Sequence, residues 1–596
     1  SADQNRENSH FISERAHEFL VSCSRDTLLF TVCWNIVKTR RKLCNFLKSG
    51  GSQNCGTMNV EDLYWFAFTV VTIVSFFTFK LLTRHRRFFT ARGVPHEKPH
   101  FLYGNLNAVL SGKVSPLEHV QEFYRKYDGE RIFGFYNYLS PVFYIRDPEL
   151  IRRLWVLQFD HFANHGYFLD ESKDRILGNQ LHLLKGDKWH QMRATLSPVF
   201  ASRNVALMAS LIQANSLDMV EYLKSSVDPE LEFKGVTLKH VFNVIAGCAF
   251  GLELNTFRDE SDRFCQIGSS LVYGNSPVQT LKTMCFYLFP KLMTRMGVQL
   301  MDAEQSTYFL NLLKNKISER EKTNANRPDV IQLLNRANKG ELKLEKDDDP
   351  GYLQMKDFSK RKWSDEELVA QCVSFFGTGF EGLVNLLSFA TLELAANQVV
   401  QNKLLAEIEQ TLQKGPLTYE SISQLTYLDM VVSETLRKWP AFPSSDRECS
   451  KDYQLNEDGL QLNFRKGDSV WVSVWALHRD ERNFPEPDRF NPERFSEANK
   501  QTIRPFTYMP FGVGPRSCIG NRFAQLVAKI TLVDLIRNFK LSPGSKLVQP
   551  IQLSKVSNGM EPEGGFWLQI QQRHPKLPIS AASYGPARGG SLRIAG

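Results

Sequence analysis

The sequence predicts a mainly α fold with small β-sheets, an α-rich α+β arrangement, and three observations carry that prediction. Helical apolar periodicity dominates residues 200–440, with 204–224 as a clear example. Strand-like patterns are confined to the two ends: VFYIRD (142–147) early, and SVWVSVWAL (469–477) late, after a turn at Lys466-Gly467. The third observation is one very long helix. Ser364 reads as its N-cap, Glu367 completes a capping box, and the apolar pattern runs to about Ala396. Such a helix is roughly 45–50 Å long and crosses a whole domain.

In chain order, residues 1–57 form an atypical extension. It carries eight Lys/Arg, and its best apolar run, Thr27 to Val37, is too short to span a bilayer. Met58 is the expected functional start, with 1–57 an upstream or variant addition. Residues 58–82 predict a transmembrane anchor. LYWFAFTVVTIVSFFTF (63–79) holds no charge, and Tyr64 and Trp65 stand where an aromatic belt would lie. Lys80, Arg84, Arg86, Arg87 and Arg92 follow, so the charge bias places everything after Lys80 in the cytosol. Residues 83–105 read as a basic, Pro/Gly-punctuated hinge and 106–573 as one catalytic domain with a surface loop at 338–351. The tail 574–596 has no packable period and is expected to be disordered.

Composition narrows the function. The 596 residues allow several domains by length, but no interior linker divides them. A hydrophobic content of 42% supports a large core. The net charge of +9 suits an anionic membrane surface or an acidic protein partner. No basic stripe is interleaved with base-stacking motifs, which argues against a nucleic-acid partner. The ten cysteines form no C-x-x-C pair and read as reduced thiols, mostly small core residues.

Cys518 is the exception. It sits in RPFTYMPFGVGPRSCIGNRF (504–523), just before the helical pattern of 525–539. Free N–H groups at a helix start favour thiolate. Gly512, Gly514 and Gly520 permit close approach of something flat, and Arg516 can pair an anion. This combination suits a haem iron ligand. Zinc lacks neighbouring Cys/His at ligand spacing, whereas a cysteine nucleophile with a distant His base stays open. Within the long helix, FFGTGFEGL places three glycines mid-helix, each costing about 1 kcal/mol relative to alanine. Close approach of a flat ligand or tight helix packing would justify them. Glu434 and Arg437 share a helix face among apolar neighbours, and Arg494 in NPERF could close an Arg–Glu–Arg triad. Trp189 and Arg193 can present an indole N–H and a guanidinium to one anionic group.

Together these motifs, in this order over 93–573, resemble the cytochrome P-450 family of haem-thiolate monooxygenases. The matching residues are Phe511, Gly512, Gly514, Arg516, Cys518 and Gly520, then Glu434 with Arg437, Pro492 to Phe495, and Trp189 with Arg193. FFxxGFE, DHFANH and RATLSPVF look most like insect detoxification-type members. The resemblance implies the family fold behind one anchor helix, in the endoplasmic reticulum membrane with the catalytic domain facing the cytosol. It implies haem b with Cys518 as axial ligand and Phe511 covering the sulfur. Arg516, Arg193, Trp189 and Arg447 would hold the propionates, and Glu434, Arg437 and Arg494 would be structural. Electrons would come from NADPH through a flavoprotein reductase docking near Lys188, Arg516 and Arg522, for oxygenation of an apolar small molecule. Glu381 and Thr378 are the catalytic candidates. The family's acid is usually followed by threonine, and here Gly382 follows Glu381, so Thr378 one turn earlier or a water is expected to substitute. The same departure keeps two alternatives: a haem-thiolate isomerase or dehydratase of oxygenated lipids, and a catalytically impaired haem binder.

Overall fold

The computed structural model describes residues 64–65, 67–73, 75–76, 87–166, 169, 171–273, 277–342, 361–555 and 560–573. The extension 1–57, much of the anchor 58–82, most of the 338–351 loop and the tail 574–596 lie outside the described residues. The chain divides into Ser1–Arg87 and Phe88–Gly596. In the first unit, residues 64–65, 67–73 and 75–76 are helical, with Tyr64, Trp65 and Phe68 exposed.

Among its described residues, the second unit is helical around three small sheets. Strands β1 (Ile132–Asn137), β2 (Ser140–Ile145), β4 (Ser444–Glu448) and β7 (Ser469–Ser473) form a sheet of order β1-β2-β7-β4. Strand alternation sends Phe133, Phe135, Val142 and Tyr144 into one apolar cluster, and Ile132, Tyr136, Phe143 and Ile145 into another. Both faces are therefore covered. The predicted hinge contributes to this cover. From Phe88 onward it is docked rather than free: Phe89 is buried, and Gly134 donates its N–H to Pro95 O at 2.8 Å. Gly134 carries no side chain for a reason, since a Cβ there would come 2.5 Å from the Phe89 ring.

Strand β3 (Glu230–Glu232) joins β8 (Phe539–Pro543) and β9 (Trp567–Gln572) in the order β3-β9-β8. Strands β5 (Tyr453–Glu457) and β6 (Leu460–Phe464) make a hairpin. Asp458 and Gly459 turn it with φ of 49° and 78°, the two positive angles that a tight Asp-Gly hairpin turn needs.

The helices that position the site are α1 (Gly186–Leu196), α2 (Ala209–Ser225), α3 (Phe233–Phe250), α4 (Asp365–Ala396), α5 (Thr426–Lys438) and α6 (Asn521–Asn538). Helix α4 has the predicted capping box, with Ser364 Oγ accepting from Glu367 N–H. Its apolar side chains are buried against α3, α5 and α6. It is the one helix long and apolar enough to cross a membrane among the described residues, yet it is a core helix, with two-thirds of that stretch buried. The predicted helix 204–224 is broken at Met208 into Ser202–Leu207 and α2. The strand predicted over 469–477 stops at Ser473, whose hydroxyl accepts from Ala476 N–H and starts a helical turn, Val474–Leu477.

Helices α2 and α6 pack together and bury Asp534 completely. Burial pushes its carboxyl up to about 7, outweighing the opposing influence of Ser216 and Arg537. A carboxyl whose folded pKa lies above its unfolded value of 3.8 stabilises the fold fully below that value. The contribution is lost as pH rises through about 7. Asp534→Asn is therefore expected to flatten the decline of the unfolding midpoint between mildly acidic and neutral pH. An unchanged decline in the variant would contradict this.

Candidate haem-binding site

The loop before α6 is closed by its own backbone. Cys518 N–H donates to Phe511 O at 2.8 Å, Gly512 N–H to Met509 O at 3.0 Å, and Ser517 N–H to Gly514 O at 2.9 Å. Gly512 and Gly514 have φ of 72° and 73°, the left-handed region that glycine enters without strain. Gly514 is also sterically fixed, because a Cβ there would lie 2.6 Å from the Trp155 carbonyl oxygen. Gly514→Ala is expected to destabilise by about 1–3 kcal/mol through this overlap and the backbone strain together. Thermal unfolding reads this, and a variant as stable as the parent would refute the contact.

Helix α6 begins at Asn521 rather than at Gln525, so Cys518 stands immediately outside its first turn. Its side chain is reachable by water, though protein crowds it on its other sides. Burial pushes its thiol up, and the Gly520 N–H and the Arg193 charge pull less strongly the other way. The helix start alone therefore does not keep this thiol ionised, contrary to expectation, because desolvation outweighs one N–H and one nearby cation. A metal ion at the sulfur would reverse the balance, since a coordinating thiol is deprotonated outright.

Open space adjoins the sulfur's loop. A Cβ on Gly520 would meet nothing within 4 Å, and one on Gly512 would meet only Ser517 Cα at 3.9 Å. Helix α4 has an uncovered strip of its own. A Cβ on Gly377 would also meet nothing within 4 Å, and Thr378 and Glu381 are exposed although Phe376, Phe380 and Leu383 beside them are buried. Thr378 Oγ1 donates back to Ser374 O at 2.7 Å. Of the phenylalanines in FFGTGFE, Phe376 and Phe380 belong to an aromatic core with Phe242, and only Phe375 is partly exposed, against Phe200.

Three arginines gather beside the loop. Arg193 is buried and donates from Nη1 to Ser517 O at 2.8 Å, tying α1 to the residue before Cys518. Arg447, at 1% exposure, stacks on the Trp155 ring at 4.5 Å. Arg516 lies over the Trp189 ring at 4.0 Å and donates to the carbonyls of Ala163 and Leu184, both at 2.8 Å, and of Leu181 at 3.4 Å. Its pKa is lowered well below the ordinary arginine value by burial first, then by Arg447 and Arg193. Trp189 thus offers Arg516 a ring face. A carboxylate sits among these cations: Asp446 is bound by His165 Nδ1 at 2.9 Å and by Gly166 N–H at 2.8 Å. Burial lowers His165 to about 4, leaving the ring neutral at physiological pH. Three clustered guanidiniums facing one protein carboxylate fit a ligand that brings its own negative charge, as the two carboxylates of a haem would. An accessible cysteine and neighbouring open space complete that fit. Among the described residues, no group of three His, Cys, Asp or Glu could hold a metal ion.

Sequence reasoning missed Asp446, His165 and Ser517. The first two stand in stretches whose other residues drew attention, SSDREC and DHFANH, but only folding joins 165 to 446. The structure also turns two predicted docking cations inward. Arg516 braces carbonyls, and Lys188 Nζ contacts Glu171 at 2.8 Å, Asn179 at 2.6 Å and Glu367 at 3.3 Å.

Beneath these elements lies a fully buried ion pair. Arg437 donates to both carboxylate oxygens of Glu434, at 2.7 and 2.9 Å, and to the carbonyls of His478 and Pro487 at 2.9 and 2.7 Å. Asn491 N–H and Arg494 Nε reach Glu434 Oε1 at 2.9 and 3.4 Å. Glu434 and Arg437 are 0% exposed, and the predicted triad is fully hydrogen-bonded.

An α-rich fold that presents an accessible thiol beside an arginine cluster defines a candidate haem-thiolate protein. Comparison with known proteins carries that further. The family described as Cytochrome P450 matches residues 94–568. Probable cytochrome P450 9f2 of Drosophila melanogaster is 35% identical over 86% of this chain and 100% of its own length. Cytochrome P450 9e2 of Blattella germanica is 36% identical over 87% and 99%, and cytochrome P450 6a2 of Drosophila melanogaster 34% over 83% and 96%. The chain belongs to the cytochrome P450 family, and with it to the haem-thiolate monooxygenases, which are oxidoreductases.

Proposed function

We propose that this protein inserts one oxygen atom from O2 into an apolar small molecule, a xenobiotic, steroid or lipid, with electrons from NADPH delivered by a flavoprotein reductase. The observation that carries the reading is the accessible Cys518 in a glycine loop tied by Arg193 at Ser517. In this reading Cys518 would ligate the haem iron, Phe511 would shield the sulfur, and Gly512 and Gly520 would leave room for the group. Arg193, Arg447 and Arg516, with Trp189 behind Arg516, hold the propionates. Glu434, Arg437 and Arg494 keep the underlying scaffold rigid. A thiolate-ligated haem supplies oxygen activation, because the thiolate pushes electron density toward the iron and favours O–O cleavage. The protein's share is to exclude bulk water and to hold protons near the strip of α4 that carries Thr378 and Glu381. The exposed helical residues Tyr64, Trp65 and Phe68 support an anchor in the endoplasmic reticulum membrane, with the catalytic unit in the cytosol.

Turnover of a substrate panel with reductase and NADPH tests the proposal. Conversion that requires both supports it, whereas hydroperoxide rearrangement without reductase selects the isomerase or dehydratase reading. Gly382 favours keeping that second reading, because no hydroxyl follows Glu381. Thr378→Ala is expected to raise the peroxide released per NADPH consumed. Unchanged coupling would remove Thr378 from proton handling.

A further inference from the structure

A small polar cleft opens where the turn after His478 meets the ends of β1 and β2, and the oxygenase reading makes no use of it. Its volume is about 190 Å3, below the roughly 300 Å3 at which pockets for drug-sized ligands begin. Arg131, Arg146, Arg482 and Arg504 all line it. They arrive from four places in the chain. Arg131 directly precedes β1 and Arg146 directly follows β2, Arg482 stands in the turn, and Arg504 opens the segment that runs into the Cys518 loop.

Four guanidiniums around one small space repel each other unless negative charge lies between them. Three acidic residues share the lining, Glu130, Asp147 and Asp480, and the two aspartates are already committed. Asp480 accepts from the Tyr124 hydroxyl at 3.0 Å, from Arg482 Nε and Nη2 at 2.9 and 2.6 Å, and from the Arg482 N–H at 3.0 Å. Asp147 accepts from Arg131 Nε at 2.5 Å and from Glu149 N–H at 3.0 Å. Glu130 is exposed and gives Arg146 its carbonyl rather than its carboxylate, with Nη1 donating at 2.9 Å.

Two of the guanidiniums are left short of acceptors. Arg146 is 6% exposed, and its Nη atoms reach the carbonyls of Tyr127 and Glu130 and the carboxylate of Asp128. Its Nε, however, is buried with no hydrogen-bond partner. Arg504 makes no side-chain hydrogen bond among the described residues, and Asp147 Oδ1, the carboxylate oxygen beside it, stands 3.7 Å away. A buried donor without an acceptor costs about 1–3 kcal/mol, and an ion that supplies acceptors relieves that cost.

We propose that this cleft binds a phosphate group, held by Arg131, Arg482 and Arg504 in the positive field that Arg146 completes. Phosphate fits better than a carboxylate because the three guanidiniums come from three separate segments. A planar carboxylate suits one guanidinium fork, whereas a tetrahedral oxyanion accepts from several sides at once. The bound group ties the segment entering the Cys518 loop to the sheet of β1 and β2. This site lies outside the oxygenase reading and does not depend on it.

Isothermal titration of the haem-loaded full chain tests the proposal, with ionic strength held constant by chloride. Inorganic phosphate is expected to bind saturably, one per chain, with a Kd of about 0.1–1 mM. Arg504 is 52% exposed, so Arg504→Gln is expected to leave the fold standing and to weaken binding at least about 10-fold. Arg258→Gln, at a surface ion pair with Glu221 that does not line the cleft, is expected to bind as the parent does. Dihexanoyl phosphatidic acid, with dihexanoyl phosphatidylcholine as its control, separates the two sources of the group. Binding of inorganic phosphate that is lost in Arg504→Gln supports the site as one for a free phosphate. Binding of the phosphatidic acid alone, lost in the same variant, supports it as one for a lipid headgroup. The proposal is overturned if neither probe binds saturably, if Arg504→Gln keeps parental affinity, or if Arg258→Gln weakens binding as much as Arg504→Gln does.

Discussion

Cys518→Ser is expected to bring oxygenase turnover below detection while leaving the fold standing. The side chain is accessible and serine has nearly its shape, so the stability change should stay within about 0.5 kcal/mol. The chemistry does not survive the change, because a serine hydroxyl cannot give the iron a thiolate's electron density. The loop's backbone bonds and the arginines at 193, 447 and 516 remain. Haem should therefore still be retained, with an altered electron paramagnetic resonance signature. A Cys518→Ser protein that keeps parental turnover would remove this residue from the chemistry. An unfolded one would show that burial around the sulfur, rather than its ligand role, dominates at this position.

The second large effect lies away from the iron. Glu434→Ala leaves Arg437 as an uncompensated buried charge, still donating to the His478 and Pro487 carbonyls but without its carboxylate. Breaking a buried pair in this way costs about 3–5 kcal/mol, a large part of the 5–15 kcal/mol that holds a typical domain together. The expected result is a collapse in soluble, haem-loaded protein and a matching drop in the urea midpoint. Arg437→Ala should do the same, because it strands the Glu434 carboxylate between Asn491 N–H and Arg494 alone. Replacing both residues with apolar side chains of similar volume should cost less than either single change, since no buried charge is then left unpaired. A Glu434→Ala protein with parental stability would mean that water reaches the pair.

Much of this architecture was legible in the sequence where local signals agree. The Ser364–Glu367 box, the apolar period to Ala396, and the Glu434–Arg437 spacing each depend on residues at most one helical turn apart or on a single repeating pattern. Signals failed where neighbours came from far along the chain. Arg516 was expected to keep its guanidinium for an anion, yet three carbonyls between Ala163 and Leu184 use much of it. Asp446 and His165 are 281 residues apart, and no spacing rule joins them. At Cys518 a helix start is visible in sequence, whereas the burial that pushes its thiol up is not. The end of β7 was missed because VWAL reads equally as strand or helix, and the Ser473 cap decided it.

The central claim is that Cys518 gives this protein a thiolate-ligated haem. The most direct test is the carbon-monoxide difference spectrum of the reduced, haem-loaded parent chain. The prediction is the long-wavelength band of a thiolate-ligated carbonyl haem, in proportion to bound haem and absent from Cys518→Ser. A spectrum typical of haem ligated by a neutral nitrogen, or the thiolate band persisting in Cys518→Ser, would contradict it.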